Sequence, residues 1–298
     1  MKIVITGSLG HISKPLTAEL VEKGHAVKVI SSNPAKQQEI EEIGATAAIG
    51  TLEDVAFLTE TFRGADAVYC MIPPGNYLDP AFDIQTHYIK VGENYVQAIL
   101  QSGVTQVVHL SSIGGNMEKD SGLLIMHNKV EKLFESLPAS VAVTTMRPTA
   151  FYYNLYAFLP LIKASGVIIS NYGENDVCPW VAPSDIAAAV AEELTGTFNG
   201  RKIRYVASEE ISCNEIAALL GDAIGKPGLK WIVVSDEEQE KGMKAAGINP
   251  AVAEGLVKMN ASIHNGKLLE DYYKNRPVLS KTKISDFAAE FAAVYNKQ

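Results

Sequence analysis

The sequence has little of what builds a metal centre, a disulfide framework or a nucleic-acid surface. Its 298 residues include three cysteines, Cys70, Cys178 and Cys213, far apart and without a CxxC pair. Such spacing offers no metal site and no disulfide scaffold, and it fits a reducing compartment. No apolar stretch approaches the ~20 residues needed to cross a bilayer. The run Ile3-Val4-Ile5 is too short for the core of a secretory signal. Lys and Arg are scattered, and a net charge of −8 leaves no dense basic face for phosphate backbones. The expectation is a cytoplasmic protein with no membrane association and no nucleic-acid partner. Low-complexity linkers and internal repeats are also missing, which argues against a tethered second module.

What is present suits a packed chain: 47% apolar against 20% charged residues is too hydrophobic for disorder. Through the first half, short apolar runs alternate with amphipathic stretches. The runs 2–6, 25–30, 45–49, 66–72, 105–112 and 140–148 read as strands, nearly continuously apolar and so covered on both faces. Between them the helices carry legible ends. The first stops at Gly24, the second starts at Asn33-Pro34, and a long one over 83–103 ends on Gly103. This order predicts an α/β fold with a Rossmann-type doubly wound parallel sheet. After residue 148 the rhythm changes to short strands (167–170, 202–207, 229–234) and helices of unequal length, including 184–194 and 212–225. Two units are expected: residues 1–150, and a smaller α/β lobe over 151–298 packed onto them.

The exit of the first strand reads "ITGSLGHIS", with Gly7 and Gly10 directly before a helix. Glycines there let the backbone approach a pyrophosphate, which sits on the helix N-terminus. The alternative is a strand–turn–helix corner that binds nothing. Ser13 stands where a third glycine would permit close helix–strand packing, and it is small enough to substitute. At the end of the second strand an acid would hold a ribose 2′-hydroxyl and repel a 2′-phosphate. The chain has Ser31, Ser32 and Asn33 instead, with Lys36 following. That favours NADP(H) over NAD(H), unless Lys36 is simply a solvated helix residue.

Six segments in order, "VITGSLGHIS", "ADAVYCMIPP", "VVHLSSIGG", "HNKVEKLF", "TTMRPTAFYYNL" and "WVAPSDIAAAV", resemble the NmrA-like branch of the atypical short-chain dehydrogenases. The quinone-oxidoreductase-like group of that branch is the most similar. The resemblance implies a Rossmann domain binding NAD(P) and a C-terminal lobe closing a substrate cleft. It implies that Gly7, Ser8, Leu9, Gly10, His11 and Ile12 wrap the pyrophosphate. Met71, Ile72, Pro73 and Pro74 line the adenine and ribose side, Ser111 and Ser112 lie beside the nicotinamide, and Pro148 to Phe151 pass along its edge. Many relatives carry an acid after the third strand where this chain has Thr51.

The Tyr-x-x-x-Lys pair usual in short-chain dehydrogenases is missing from the chain. The corresponding helix reads "LLIMHNKVEKLF". With His127 at the lysine position the tyrosine position is Leu123; with Lys129 there it is Ile125. His127 and Glu131 fall four apart on one helical face, so His127 is expected to be held by Glu131 and to contact the nicotinamide ribose or donate a proton near neutral pH. The alternative is a packed histidine. Ser111 and Ser112 are candidate catalytic serines, or simple caps of the following turn. The aromatic run containing Tyr152, Tyr153 and Asn154, with Trp180, suggests the wall of a flat apolar substrate pocket, although such clusters also build cores. The loop 73–82, rich in Pro and Gly, is either a lid or a rigid connection. The function expected is an NADPH-dependent reductase of a small flat acceptor such as a quinone. The alternative is a non-catalytic NADP(H) redox sensor that binds a protein partner. A sugar-nucleotide epimerase would need the missing pair.

Overall fold

The computed structural model describes residues 1–197 and 199–297. The first half alternates strand and helix: β1 (Lys2–Ile5), α1 (Ser13–Glu22), β2 (Ala26–Ser31), α2 (Gln37–Glu42), β3 (Thr46–Ile49), α3 (Val55–Phe62), β4 (Ala67–Cys70), α4 (Ile84–Ser102), β5 (Gln106–Leu110), α5 (Ile125–Glu135) and β6 (Ala142–Pro148). The second half holds β7 (Ala150–Phe151), α6 (Leu159–Ser165), β8 (Val167–Ser170), β9 (Val177–Val181), α7 (Pro183–Thr195), β10 (Arg201–Val206), β11 (Glu209–Ser212), α8 (Cys213–Ala223) and β12 (Lys230–Val233). Four helices complete it: α9 (Asp236–Ala245), α10 (Pro250–His264), α11 (Glu270–Lys274) and α12 (Ile284–Lys297).

Seven parallel strands form the main sheet in the order β10-β6-β5-β4-β1-β2-β3. One apolar layer, from α3, α4 and α5, covers one face, and α1, α2 and α7 cover the other. Both faces are therefore dry, which is why these strands read as unbroken apolar runs. The expected helix ends hold. Asn33 accepts from the Ala35 amide, Asp83 caps α4 through the amides of Gln85 and Thr86, and Gly103 closes α4 in the left-handed region at φ +76°.

The boundary at residue 150 does not divide the sheet from the rest. α7 and β10 lie beyond it, yet β10 pairs with β6 along its whole length and α7 packs on α1. The strand expected over 202–207 is β10, and with its exposed start at Arg201 and Lys202 it completes the sheet edge instead of belonging to the second lobe. The second lobe has its own core, built on the three-stranded sheet β11-β9-β7, the pair β12-β8, and α6, α8 and α12. The strands β7, β9 and β11 were not legible in the sequence. They are short, and Pro179 interrupts β9.

Candidate active site

In a doubly wound sheet the strand order reverses between β1 and β4, and a crevice opens there at the carboxyl ends of the strands. The glycine turn sits in it. Gly7 adopts φ +88°, and a Cβ there would fall 2.7 Å from Met71 Sδ and 2.8 Å from Ser13 Oγ. Ser8 follows in the left-handed region at φ +53°. Its amide donates to the Ile30 carbonyl at 3.0 Å, so the turn is fastened to β2. Gly10 is exposed, and a Cβ there would lie 3.2 Å from the Gly7 carbonyl. Helix α1 starts without a side-chain cap; the Lys14 and Leu16 amides bond the Gly10 and Ile12 carbonyls and Pro15 has no N–H, so the Ser13 amide is the one first-turn donor left for an anion. Ser13 explains its own presence: it is buried and its hydroxyl donates to the Thr6 carbonyl at 2.9 Å, fixing the helix to the strand. The turn fits a dinucleotide pyrophosphate. Ile12 does not present its side chain to it, because that side chain is buried in the core with Leu16 and Val29. Leu9 is partly buried against the same core.

The segment after β2 behaves differently from expectation. Ser31 is buried, and its hydroxyl accepts from Ser8 Oγ at 2.9 Å and from the Asn33 amide at 3.2 Å. Asn33 spends its side-chain oxygen on the cap. Ser31 and the Asn33 Oδ1 organise the loop, so Ser32, Lys36 and the Nδ2 of exposed Asn33 are the groups left to offer. Lys36 pairs with Glu39 at 2.7 Å, and Lys14 of α1 pairs with the same carboxylate at 2.8 Å. These two ammonium groups hold the Glu39 carboxyl down to about 2. Lys14 was missed from the sequence because nothing there brings α1 beside α2.

Met71 is tied in place: its amide donates to Thr6 Oγ1 at 2.8 Å, and its carbonyl accepts from Tyr95 at 2.6 Å. Ile72 is buried in the core, so its side chain cannot line a cleft. The loop 73–82 is held at both ends. His87 donates through Nε2 to the Pro73 carbonyl at 2.9 Å. The Asn249 amide group donates to the carbonyls of Asp79 at 2.9 Å and Phe82 at 3.3 Å, and its backbone donates to Tyr77 at 2.9 Å. Pro74 is exposed on this loop. A cavity of about 290 Å³ lies between residues 80–85 and the start of α10. None of the residues nominated from the sequence lines it.

The carboxylate expected to hold His127 is engaged elsewhere. Glu131 accepts from Ser111 Oγ and takes a bidentate bond from Arg147, at 3.0 and 2.6 Å. Arg147 continues to Asp271 at 3.2 Å and Tyr205 at 3.3 Å. Glu131 and Arg147 are both buried. Gly115 makes room for this network, since a Cβ there would meet Glu131 Oε1 at 2.1 Å. Ser111 gives its proton to Glu131, so towards the cleft it offers lone pairs only. Ser112 is half-buried, with its carbonyl taken by the Gly115 amide. His127 instead meets Tyr88 edge-on at 5.3 Å. Desolvation and the nearby His109 push its imidazole down to about 4, so it is neutral at pH 7 and is no imidazolium acid. Lys129 is exposed and bonds to Gln85 of α4.

The second lobe meets the turn through Tyr153, whose ring stacks on His11 at 4.5 Å and tilts against Phe151 at 5.3 Å. Asn154 is exposed beside it. Pro148, buried at the end of β6, receives the Ile113 amide at 2.9 Å. Tyr152 and Trp180 are core residues and do not form a pocket wall. Tyr152 is 1% exposed, donates to the Thr282 carbonyl and stacks on Phe287; Trp180 is 2% exposed in the second-lobe core. Residues Tyr152–Phe158 form a 3-10 helix, whose three-residue turn buries Tyr152 and Leu155 and leaves Tyr153 on its partly exposed side. Among the described residues no cluster of His, Cys, Asp and Glu could hold a metal ion, and no helix is long and apolar enough to cross a membrane.

The chain is 24% identical over 260 residues to the NAD(P)H azoreductase of Xenophilus azovorans, covering 87% of this chain and 86% of that one. It is 27% identical over 226 residues to a (4-alkanoyl-5-oxo-2,5-dihydrofuran-3-yl)methyl phosphate reductase of Streptomyces griseus, covering 76% and 74%. In fold it is similar to the NADPH-dependent quinone oxidoreductase of Escherichia coli, with a TM-score of 0.78 at 21% identity over 97% and 98% of the two chains. It is also similar to the NADP(H)-complexed triphenylmethane reductase of Citrobacter sp., with a TM-score of 0.79 at 21% identity over 98% and 100%. The family description "NmrA-like family" matches residues 1–265, and with a Rossmann-like sheet carrying the glycine turn at its switch point, the chain belongs to the NmrA-like family.

Proposed function

We propose that the protein is an NADPH-dependent reductase of a flat, conjugated acceptor such as a quinone or an azo compound. One observation carries the reading: Tyr153 of the second lobe stacks on His11 of the glycine turn. Tyr153 therefore stands over the turn that would hold a dinucleotide, and a flat ring would fit against such a surface. The named reductase activities of the relatives support the same class of chemistry. No observation favours the sensor alternative.

The turn from Gly7 to Gly10 and the Ser13 amide at the start of α1 would hold the pyrophosphate. Lys36, Lys14 and Ser32 would hold a 2′-phosphate, which supports NADP(H) over NAD(H); Glu39, tethering both lysines, would have to turn away. Bound NADPH would supply a hydride, both electrons passing to the acceptor. Ser111, with its proton directed to Glu131, would accept a hydrogen bond from an amide group in the cleft. Neutral His127 would donate through N–H without carrying charge. A division into a cofactor-binding sheet and a second lobe that covers it fits this assignment, with α7 and β10 belonging to the former. Three unpaired cysteines suit a reducing, cytoplasmic setting.

Steady-state NADPH oxidation across quinone, azo and triphenylmethane acceptors, beside titrations of NADPH and NADH, tests the proposal. The expected result is turnover with at least one class and tighter binding of NADPH. Tight binding with no turnover on any acceptor would overturn the reductase reading.

A further inference from the structure

Three phenols that the sequence left unassigned or assigned only broadly lie within electrostatic reach of one another, and one of them, Tyr153, stacks on His11 of the glycine turn. Tyr88 lies on the inner face of α4, Tyr77 on the loop after β4, and Tyr153 at the entry to the second lobe. Tyr88 is 5% exposed and edge-on to His127. Tyr77 packs against the core cluster that contains Tyr88, and its position is fixed by the Asn249 bond to its carbonyl. Tyr153 is fixed by His11 and Phe151.

Their hydroxyls have no role in holding the fold. Among the described residues none of the three makes a hydrogen bond, whereas the phenols of Tyr95, Tyr152, Tyr156, Tyr205 and Tyr272 each have a partner. The Tyr88 hydroxyl is also not among the fully enclosed unpartnered atoms, as that of Tyr69 is. It therefore reaches open space from an otherwise buried ring. A hydroxyl held there without a protein partner is free to donate to an acceptor that enters the open space. The three hydroxyls are near enough that ionising one disfavours ionising the next. Burial pushes all three up, Tyr153 to about 12, so each remains a donor at neutral pH.

We propose that the Tyr88 hydroxyl, flanked by Tyr77 and Tyr153, is the donor that binds the acceptor's carbonyl oxygen in this cleft. It would occupy the functional place of the tyrosine missing from α5, reached from α4 instead. This rests on the reductase reading. The oxygen that gains charge as the carbonyl is reduced would be stabilised by a hydrogen bond already aimed at it. Its proton would come from solvent, and Tyr88 would keep its own. The substrate class that fits is a neutral flat molecule with an exposed carbonyl, meaning a quinone, and not an anion.

The test uses the full chain with NADP⁺ bound, so that no turnover occurs, and carbonyl-¹³C menadione as probe. Affinity is read by fluorescence quenching and hydrogen bonding by the infrared carbonyl stretch, in wild type and Tyr88→Phe. Phenylalanine keeps the ring that packs the core. The expected result is a lowered carbonyl stretch in wild type that reverts in Tyr88→Phe. Affinity should weaken about two- to twelve-fold, as for one lost hydrogen bond, while NADPH affinity stays within about twofold. An unchanged stretch and affinity in Tyr88→Phe would overturn the proposal even if the wild type reduces quinones. Failure of menadione to bind wild type would overturn it as well. A stretch that depends on Tyr88 without any NADPH turnover would uphold the site and refute the reductase reading.

Discussion

Burial decides the protonation state of His109 on β5 and His127 on α5, and with it what they can do. His109, stacked on Phe134 at 4.2 Å with an unpartnered Nδ1, is pushed down to about 3, and His127 to about 4. The unfolded chain takes up these protons near the usual 6.5, so between that value and about 4 it binds more protons than the folded one. Stability should therefore fall as pH drops from about 6.5 to about 4. In urea unfolding, His109→Phe should flatten that fall, and an unchanged slope would show that His109 is not buried neutral. By the same argument turnover should show no loss through His127 between about pH 6 and 8, where an imidazolium acid would give one. Cofactor selectivity also rests on single residues. Lys36→Glu should weaken NADPH by about 1 kcal/mol, the low end for a charged contact because the site is exposed and screened by salt. Glu39→Gln should tighten NADPH and leave NADH unchanged, since it releases both lysines; calorimetry with each cofactor reads the difference. The absence of an acid after β2 was legible in the sequence, but the carboxylate that restrains Lys36 was not, because Glu39 reads as an ordinary helix surface residue.

The elements meet through a few polar joints, and these were the least legible part. The helical spacing of His127 and Glu131 is real, but spacing on one helix says nothing of what a neighbouring strand offers. Arg147 on β6 captures the carboxylate at two points. A charge inside an otherwise apolar strand was the one available signal of such a joint. Arg147→Met should cost about 3–5 kcal/mol, because it leaves Glu131 buried without its partner; denaturant unfolding measures it, and a near-neutral result would show that this pair does not hold the joint. Tyr88 was hidden for the opposite reason. It falls on the buried face of α4 with Ile84, Val91 and Tyr95, and periodicity alone cannot distinguish a core tyrosine from one whose hydroxyl emerges into a cleft. The loop 73–82 read as either lid or connection, and its bonds to Asn249 make it a fastened segment. Asn249→Ala removes four of these bonds or caps at once. Limited proteolysis within 75–80 should then accelerate several-fold, and an unchanged rate would show that the loop is held by its apolar contacts alone.

At the scale of the molecule, the doubly wound sheet was read correctly because its strands are dry on both faces and its helices end on recognisable caps. The return of α7 and β10 to that sheet was not, since a strand beginning Arg-Lys at a sheet edge lacks the apolar pattern of the central ones. That return matters for function. It ties the second lobe to the sheet where the chain enters from β6, where it returns through α7 and where it leaves β10, so that the Tyr153 contact with the glycine turn does not depend on a tether. The central claim is that this cleft brings NADPH and a flat acceptor into contact. The most direct measurement is a single turnover: the protein loaded with one equivalent of NADPH is mixed with menadione, and cofactor absorbance is followed beside the Gly10→Val variant. The account predicts complete, single-exponential NADPH loss in wild type and none above the protein-free rate in the variant, whose side chain would crowd the Gly7 carbonyl and the pyrophosphate place. NADPH that stays reduced in the wild-type complex, or is lost equally fast in a folded Gly10→Val protein, would contradict it.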